Sequence, residues 1–158
     1  MIENCNILQP DEFYHGDKYQ AGTVKKLIAK DNGDHQFELE NESGSYLIKL
    51  KLVEKQTEKR CDFLILDCTG KAAFFVELKG QKLSDAVSQI QSTLGAYSSR
   101  LTDFQFYCRV VQTRVFGARS QIDKAKLMKY LHKNHKSNVQ KGTRDLVKIG
   151  SQKLVEKI

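Results

Sequence analysis

Residues 61–79 read Cys61-Asp62-Phe63-Leu64-Ile65-Leu66-Asp67-Cys68, then Thr69-Gly70-Lys71, then Ala72-Ala73-Phe74-Phe75-Val76-Glu77-Leu78-Lys79. Both long runs are dense in strand formers and a turn signal separates them, so the stretch predicts a β-hairpin. With Thr69 and Gly70 as a two-residue loop, Cys68 faces Lys71, and counting outward brings Asp62 opposite Glu77. Directly opposed residues hold their Cβ atoms about 4.5–5.5 Å apart, which suits two carboxylates sharing one hard cation. A bulged loop would shift this register, and a second bulge between loop and site would restore it. Strand alternation sets Glu77 and Lys79 on one face with Ala73 and Phe75, and sets Phe74, Val76 and Leu78 on the other.

An acid-x-Lys pair on a strand is in most cases an exposed cross-strand ion pair. Here the two runs are otherwise apolar on both faces, as in a sheet covered on both sides. Asp62, Glu77 and Lys79 therefore interrupt segments expected to be buried, where charges are expensive unless paired or liganded. Two close carboxylates repel unless something positive lies between them, either Lys79 or a metal ion. Mg²⁺ (or Mn²⁺) takes oxygen ligands and keeps several waters, so two carboxylates and the Leu78 backbone carbonyl would hold it. Such an ion lowers the pKa of a bound water and stabilises charge on a phosphate, with Lys79 adding positive charge nearby.

Working outward, Leu83, Ala86, Val87, Ile90, Leu94 and Tyr97 recur at helical spacing after Gly80, with Ser84 as the expected N-cap. Residues 104–113 predict a further strand, and Ser120 is expected to cap a helix running to about Ser137. Towards the N-terminus, Phe37, Leu39 and the run 46–52 predict two strands joined at residues 42–45. In the second of them Ile48, Leu50 and Leu52 alternate with Lys49 and Lys51, implying one buried face. Val24, Leu27 and Ile28 suggest a short helix within 17–30, and the tail 143–158 suggests a short hairpin broken at Gly150-Ser151. The expected architecture is one α/β domain over residues 1–158, with a single central mixed β-sheet flanked by helices.

The chain has 158 residues with 28% charged and 40% hydrophobic, a balance that fits a folded domain and excludes a disordered one. No apolar run is long enough to cross a bilayer and the first residues lack a secretory pattern, so a cytoplasmic protein with no membrane partner is expected. The cysteines at 5, 61, 68 and 108 form no metal-binding spacing and are expected to be reduced. Residues 114–158 hold twelve Lys and Arg against three acids, a local net of +9, while the other residues net −2. That basic third suits a polyanion such as nucleic acid, and Lys126, Lys129, Lys133 and Lys136 form a stripe on the predicted second helix. His132 and His135 on the same helix read as part of a basic face and not as metal ligands, and Tyr107 and Tyr130 read as packing residues.

Asp62, then Glu77-Leu78-Lys79, then the helix after Gly80 and the strand from Phe104 together resemble the PD-(D/E)XK nuclease superfamily, over about residues 45–113. Gly80 after the lysine and a glutamine in the following helix are similar to resolvase-like members, and Gln89 fits that position better than Gln91. The resemblance implies a restriction-endonuclease-like core, with Asp62, Glu77 and the Leu78 carbonyl as metal ligands, Lys79 assisting attack and Gln89 in the catalytic set. It implies Mg²⁺-dependent phosphodiester hydrolysis, of DNA in the first instance. At 158 residues little room is expected for a separate sequence-recognition domain, so specificity is expected from substrate structure, from a homodimer or from a second protein. Cys61 stands where the family has Pro. An upstream Glu carried by many members has four candidates, Glu38, Glu40, Glu42 and Glu54. The alternatives are a catalytically inactive nucleic-acid-binding module of the same fold, and an interaction domain in which these charges form a buried ion-pair network.

Overall fold

The computed structural model describes residues 4–78, 83–113, 117–139 and 144–158. In chain order its elements are β1 (Gln20–Gly22), β2 (Lys26–Lys30), β3 (Gln36–Glu40), β4 (Leu47–Lys51), β5 (Phe63–Asp67), β6 (Ala72–Leu78), α1 (Leu83–Tyr97), β7 (Gln105–Gln112), α2 (Gly117–Asn134), β8 (Val147–Ser151) and β9 (Lys153–Lys157). The chain is α/β, but its strands form two sheets and not the single one expected. A six-stranded mixed sheet runs β1-β4-β5-β6-β7-β8, and a three-stranded sheet runs β2-β3-β9.

The central strands β5 and β6 are buried along their whole length, and each face has its own apolar partner. Leu64, Leu66, Ala73 and Phe75 pack with Ala86, Ile90 and Leu94 of α1 and with Leu127 and Leu131 of α2. On the other face Ile65, Phe74, Val76 and Leu78 pack with Leu27, Ala29, Phe37 and Leu39 of the small sheet. The helices therefore cover one face only. The sheet is covered on both sides as expected, with helices on one face and the second sheet on the other.

The hairpin register is as expected, since Phe63 pairs with Val76 and Asp67 with Ala72. The turn is longer than expected. It spans Cys68–Lys71, and Lys71, not Thr69 or Gly70, takes the left-handed conformation at φ 55°. Asp67 Oδ1 accepts the Gly70 N–H at 2.8 Å, and a Cβ on residue 70 would stand 2.5 Å from Asp67 Oδ2, so a larger residue there would displace the Asp67 carboxylate from this contact. Because a four-residue loop shares its centre with the two-residue one, the register beyond it is unchanged.

Several local expectations are corrected. Residues 20–22 and 26–30 are strands, not a helix: Leu27 and Ala29 are buried while Lys26, Ile28 and Lys30 are exposed, a period of two. The strands β3 and β4 lie in different sheets, so residues 42–45 form a crossover. The tail is not a hairpin either. β8 extends the large sheet beside β7, and β9 leaves it to lie parallel to β3, with Gln152 at φ 64° as the pivot. Ser84 and Ser120 fall inside α1 and α2, and the positions just ahead of each helix lie outside the described residues. α2 ends at Asn134, and Lys136 begins a short 3₁₀ turn. Finally, Cys5 and Cys68 form a disulfide across 63 residues, so the four thiols are not all reduced; Cys61 and Cys108 are unpaired and buried. The N-terminal segment brings Cys5 to the hairpin tip by burying Leu8 and Phe13 in the helix-side core.

Candidate metal and nucleic-acid site

One step beyond the Phe63–Val76 pair that ends the ladder of β5 and β6, Asp62 stands opposite Glu77, on the end of the sheet from which α1 departs. Asp62 is fixed through its backbone on both sides. Its carbonyl accepts the Leu52 N–H at 2.9 Å, and its N–H donates to Glu77 Oε1 at 3.0 Å. The Asp62 carboxylate accepts the Leu78 N–H on Oδ2 at 2.8 Å and the Lys51 ammonium on Oδ1 at 3.2 Å. Glu77 is fully buried, whereas the Asp62 side chain retains 28% of its exposure. A carboxylate that accepts backbone N–H groups is oriented without spending all its lone pairs.

The strand bends at Asp62, and its cause is visible on the preceding residue. The Cys61 N–H donates to Thr93 Oγ1 of α1 at 2.7 Å, and Thr93 Oγ1 in turn donates to the Gln89 carbonyl. Cys61 therefore packs in the helix-side core, its thiol donating to the Phe63 carbonyl at 3.5 Å, while the Phe63 side chain packs on the small-sheet side. Burial pushes the Cys61 thiol well above its usual range, the Glu77 charge adds to this, the Thr93 hydrogen bond opposes it, and Asp62 adds a smaller push.

Gln89 is buried on the inner side of α1. Its Nε2 donates to the Arg60 carbonyl at 3.2 Å, just ahead of Asp62. It also lines a recess of about 300 Å³ with Glu54, Lys59 and Asp85. Of the four upstream glutamates, Glu54 alone lines that recess. Glu38, Glu40 and Glu42 belong to the small sheet and its exit, where Lys26, Lys153 and Lys157 pair with them. Lys79 and its neighbour Gly80 lie outside the described residues. For Leu78, the group seen in use is the N–H.

The oxygen chemistry of Asp62 and Glu77 fits a hard cation, and Mg²⁺ completes its shell with water. No group of three or more His, Cys, Asp or Glu poised for a metal occurs among the described residues. The residue that sequence reasoning missed is Lys51. The alternation of β4 places it on the solvent side, yet it reaches Asp62 and lies 5.0 Å from the Phe63 ring centre.

The basic residues are partly where the sequence places them. Lys126, Lys129 and Lys133 lie along α2 and are exposed, and Lys136 is exposed on the turn beyond the helix end. None of the four has an ion-pair partner among the described residues. His132 is exposed, while His135 is buried against the Phe106 and Tyr130 rings, and burial lowers its pKa. Tyr107 is a core residue, as expected. No helix among the described residues is long and apolar enough to cross a membrane. No protein-family profile, curated protein or solved structure matches this chain.

Proposed function

We propose that this chain is a Mg²⁺-dependent nuclease that hydrolyses phosphodiester bonds of DNA, with Asp62, Glu77, Lys79 and Gln89 as its working residues. The observation that carries the reading is the placement of Asp62 and Glu77 on one rung, both oriented by backbone hydrogen bonds beside the start of α1. The antiparallel β4-β5-β6 meander, crossover helix α1 and parallel β7 are consistent with the nuclease resemblance in element order and strand direction.

In this reading Asp62 and Glu77 hold the ion together with the Leu78 carbonyl. When bound, Mg²⁺ supplies Lewis-acid stabilisation of the phosphate and a more acidic water. Lys79 places positive charge beside the attacked phosphate, and Gln89 positions the segment carrying Asp62 through Arg60. The lysines of α2 and the 3₁₀ turn bind flanking phosphates. In this reading substrate choice comes from DNA shape, from a homodimer, or from a second protein.

A second reading draws on Lys51. Its ammonium already neutralises Asp62, as a scaffold that binds nucleic acid without cutting it would require. Calorimetric titration with Mg²⁺ separates the two. A nuclease site binds the ion in the wild type and loses it in Asp62→Asn and Glu77→Gln, while Lys51→Met keeps or strengthens binding. A wild type that takes up no Mg²⁺ with or without a DNA duplex supports the inactive module. Incubating supercoiled, linear and branched DNA with the protein and Mg²⁺ or Mn²⁺ then identifies the substrate form.

A further inference from the structure

A second cluster of reactive groups lies where the β2–β3 turn meets the end of β7. Asp31 Oδ2 is 2.9 Å from His35 Nδ1, and His35 Nε2 is 3.0 Å from Thr113 Oγ1. The order carboxylate, Nδ1, Nε2, hydroxyl is the one in which an imidazole acts as general base on an alcohol. These residues come from positions 78 apart in the chain, and neither Asp62 nor Glu77 takes part.

The direction of each proton follows from the chemistry of the groups. Ionised Asp31 can only accept, so Nδ1 of His35 carries the hydrogen in this contact. In the neutral ring Nε2 then presents its lone pair, and the Thr113 hydroxyl donates to it. The carboxylate is held for this role, because its other oxygen accepts the Gly33 N–H at 2.9 Å. The turn is closed by the Asp31 N–H on the His35 carbonyl at 3.4 Å. Thr113 is anchored as well. Its carbonyl accepts both Ser151 Oγ and Gln152 Nε2 at 3.1 Å, and Gln152 ties the strands together by donating its N–H to Gln112 and accepting that of Gln36. The His35 and Asp31 side chains keep only 13% and 26% of their exposure, while Thr113 is exposed. A shielded base thus points at an accessible alcohol.

We propose that Thr113 is a nucleophile activated by the His35–Asp31 pair, and that it accepts acyl groups from activated carboxylic esters or thioesters. In the step, Oγ1 forms a bond to the acyl carbon as its proton passes to His35 Nε2. The carbon–leaving-group bond breaks, and the alcohol or thiol departs with that proton from Nε2. The products are the Thr113 ester and a neutral leaving group, so no further reactant is consumed. Release of the acyl group requires a water to repeat the sequence from the same base.

The experiment uses the full chain with p-nitrophenyl acetate, following released nitrophenolate and locating the acetyl group by peptide mass spectrometry. The expected result is a stoichiometric burst with acetyl on Thr113, retained in Thr113→Ser and absent in Thr113→Val. His35→Gln should acylate residue 113 about 100-fold or more slowly, the span that a positioned general base contributes. Acetyl found only on lysines, or residue 113 modified at the wild-type rate in His35→Gln, would overturn the proposal. The tautomer provides a test on the unaltered chain, so the result does not depend on a variant folding. Imidazole ¹⁵N spectra should show the single hydrogen of the neutral His35 ring on Nδ1, and a neutral ring with its hydrogen on Nε2 would equally refute the role. Because Asp62→Asn leaves this cluster untouched, acylation should persist in that variant whatever becomes of the nuclease reading.

Discussion

Replacing Glu156 by Gln should destabilise the fold far more than a surface charge change does. Glu156 lies on β9 and accepts a two-pronged contact from Arg109 of β7, Nε to Oε1 at 2.6 Å and NH2 to Oε2 at 3.1 Å. Arg109 is fully buried between the two sheets, its guanidinium over the Phe74 and Tyr107 rings at 5.6 and 5.3 Å. The variant leaves that cation without its counter-charge and turns an amide NH₂ towards a donor. Breaking one side of a buried pair costs about 3–5 kcal/mol, against at most about 1 kcal/mol for an exposed pair. With a urea m-value of about 2 kcal/mol/M, the midpoint should fall by about 2 M with an unchanged slope. Arg109→Met should cost less, because Glu156 still meets Arg144 at 3.3 Å and Lys148 at 3.7 Å, both reachable by water. The double change to Met at both positions should recover part of the loss. A midpoint for Glu156→Gln within about 0.5 M of wild type, on that m-value, would refute the claim that this pair holds the sheets together.

The disulfide gives a second expectation. Closing a loop across 63 residues constrains the unfolded chain by about 4 kcal/mol, so Cys5→Ser with Cys68→Ser should lower stability by that order in urea, and dithiothreitol should reproduce it in the wild type. His135 gives a third. Burial lowers its pKa, so its contribution is present above the unfolded value of about 6.5 and is lost as pH falls below that value towards the folded one. His135→Phe should flatten the melting-temperature loss in that window, and an unchanged pH profile would remove His135 as its source. For the basic face, changing Lys126, Lys129, Lys133 and Lys136 to Gln should flatten the slope of log affinity against log salt by up to about 3–4 units. Folding should survive because all four are exposed, and an unaltered slope would assign the phosphate contacts elsewhere.

What the sequence made legible was local. The hairpin of β5 and β6 could be read with its register because a short turn joins two apolar strands, and α1 because Leu83, Ala86, Val87, Ile90, Leu94 and Tyr97, at helical spacing, all face the core. The small sheet was illegible for a physical reason. In β2 the buried residues are Leu27 and Ala29, but alanine carries little signal, and exposed Ile28 beside Leu27 mimics helical spacing. Its partner β9 arrives in parallel from the far end of the chain, and no local pattern announces such a pairing. The same holds for Cys5 with Cys68, for Arg109 with Glu156 and for His35 with Thr113, all long-range contacts. At the candidate metal site the opposition of Asp62 and Glu77 was legible from counting. The contribution of Lys51 was not, because the alternation of β4 shows which face a side chain leaves from but not how far a lysine reaches around a strand end.

The most direct measurement is cleavage of supercoiled plasmid by purified wild-type protein in Mg²⁺, run beside Glu77→Gln and Lys79→Ala and beside wild type in EDTA. The account predicts nicked or linear product for the wild type with Mg²⁺ alone, and at least a hundredfold loss in both variants, with Lys79→Ala still binding the ion. Plasmid left intact by the wild type in both Mg²⁺ and Mn²⁺, or cut equally by Glu77→Gln, would contradict it.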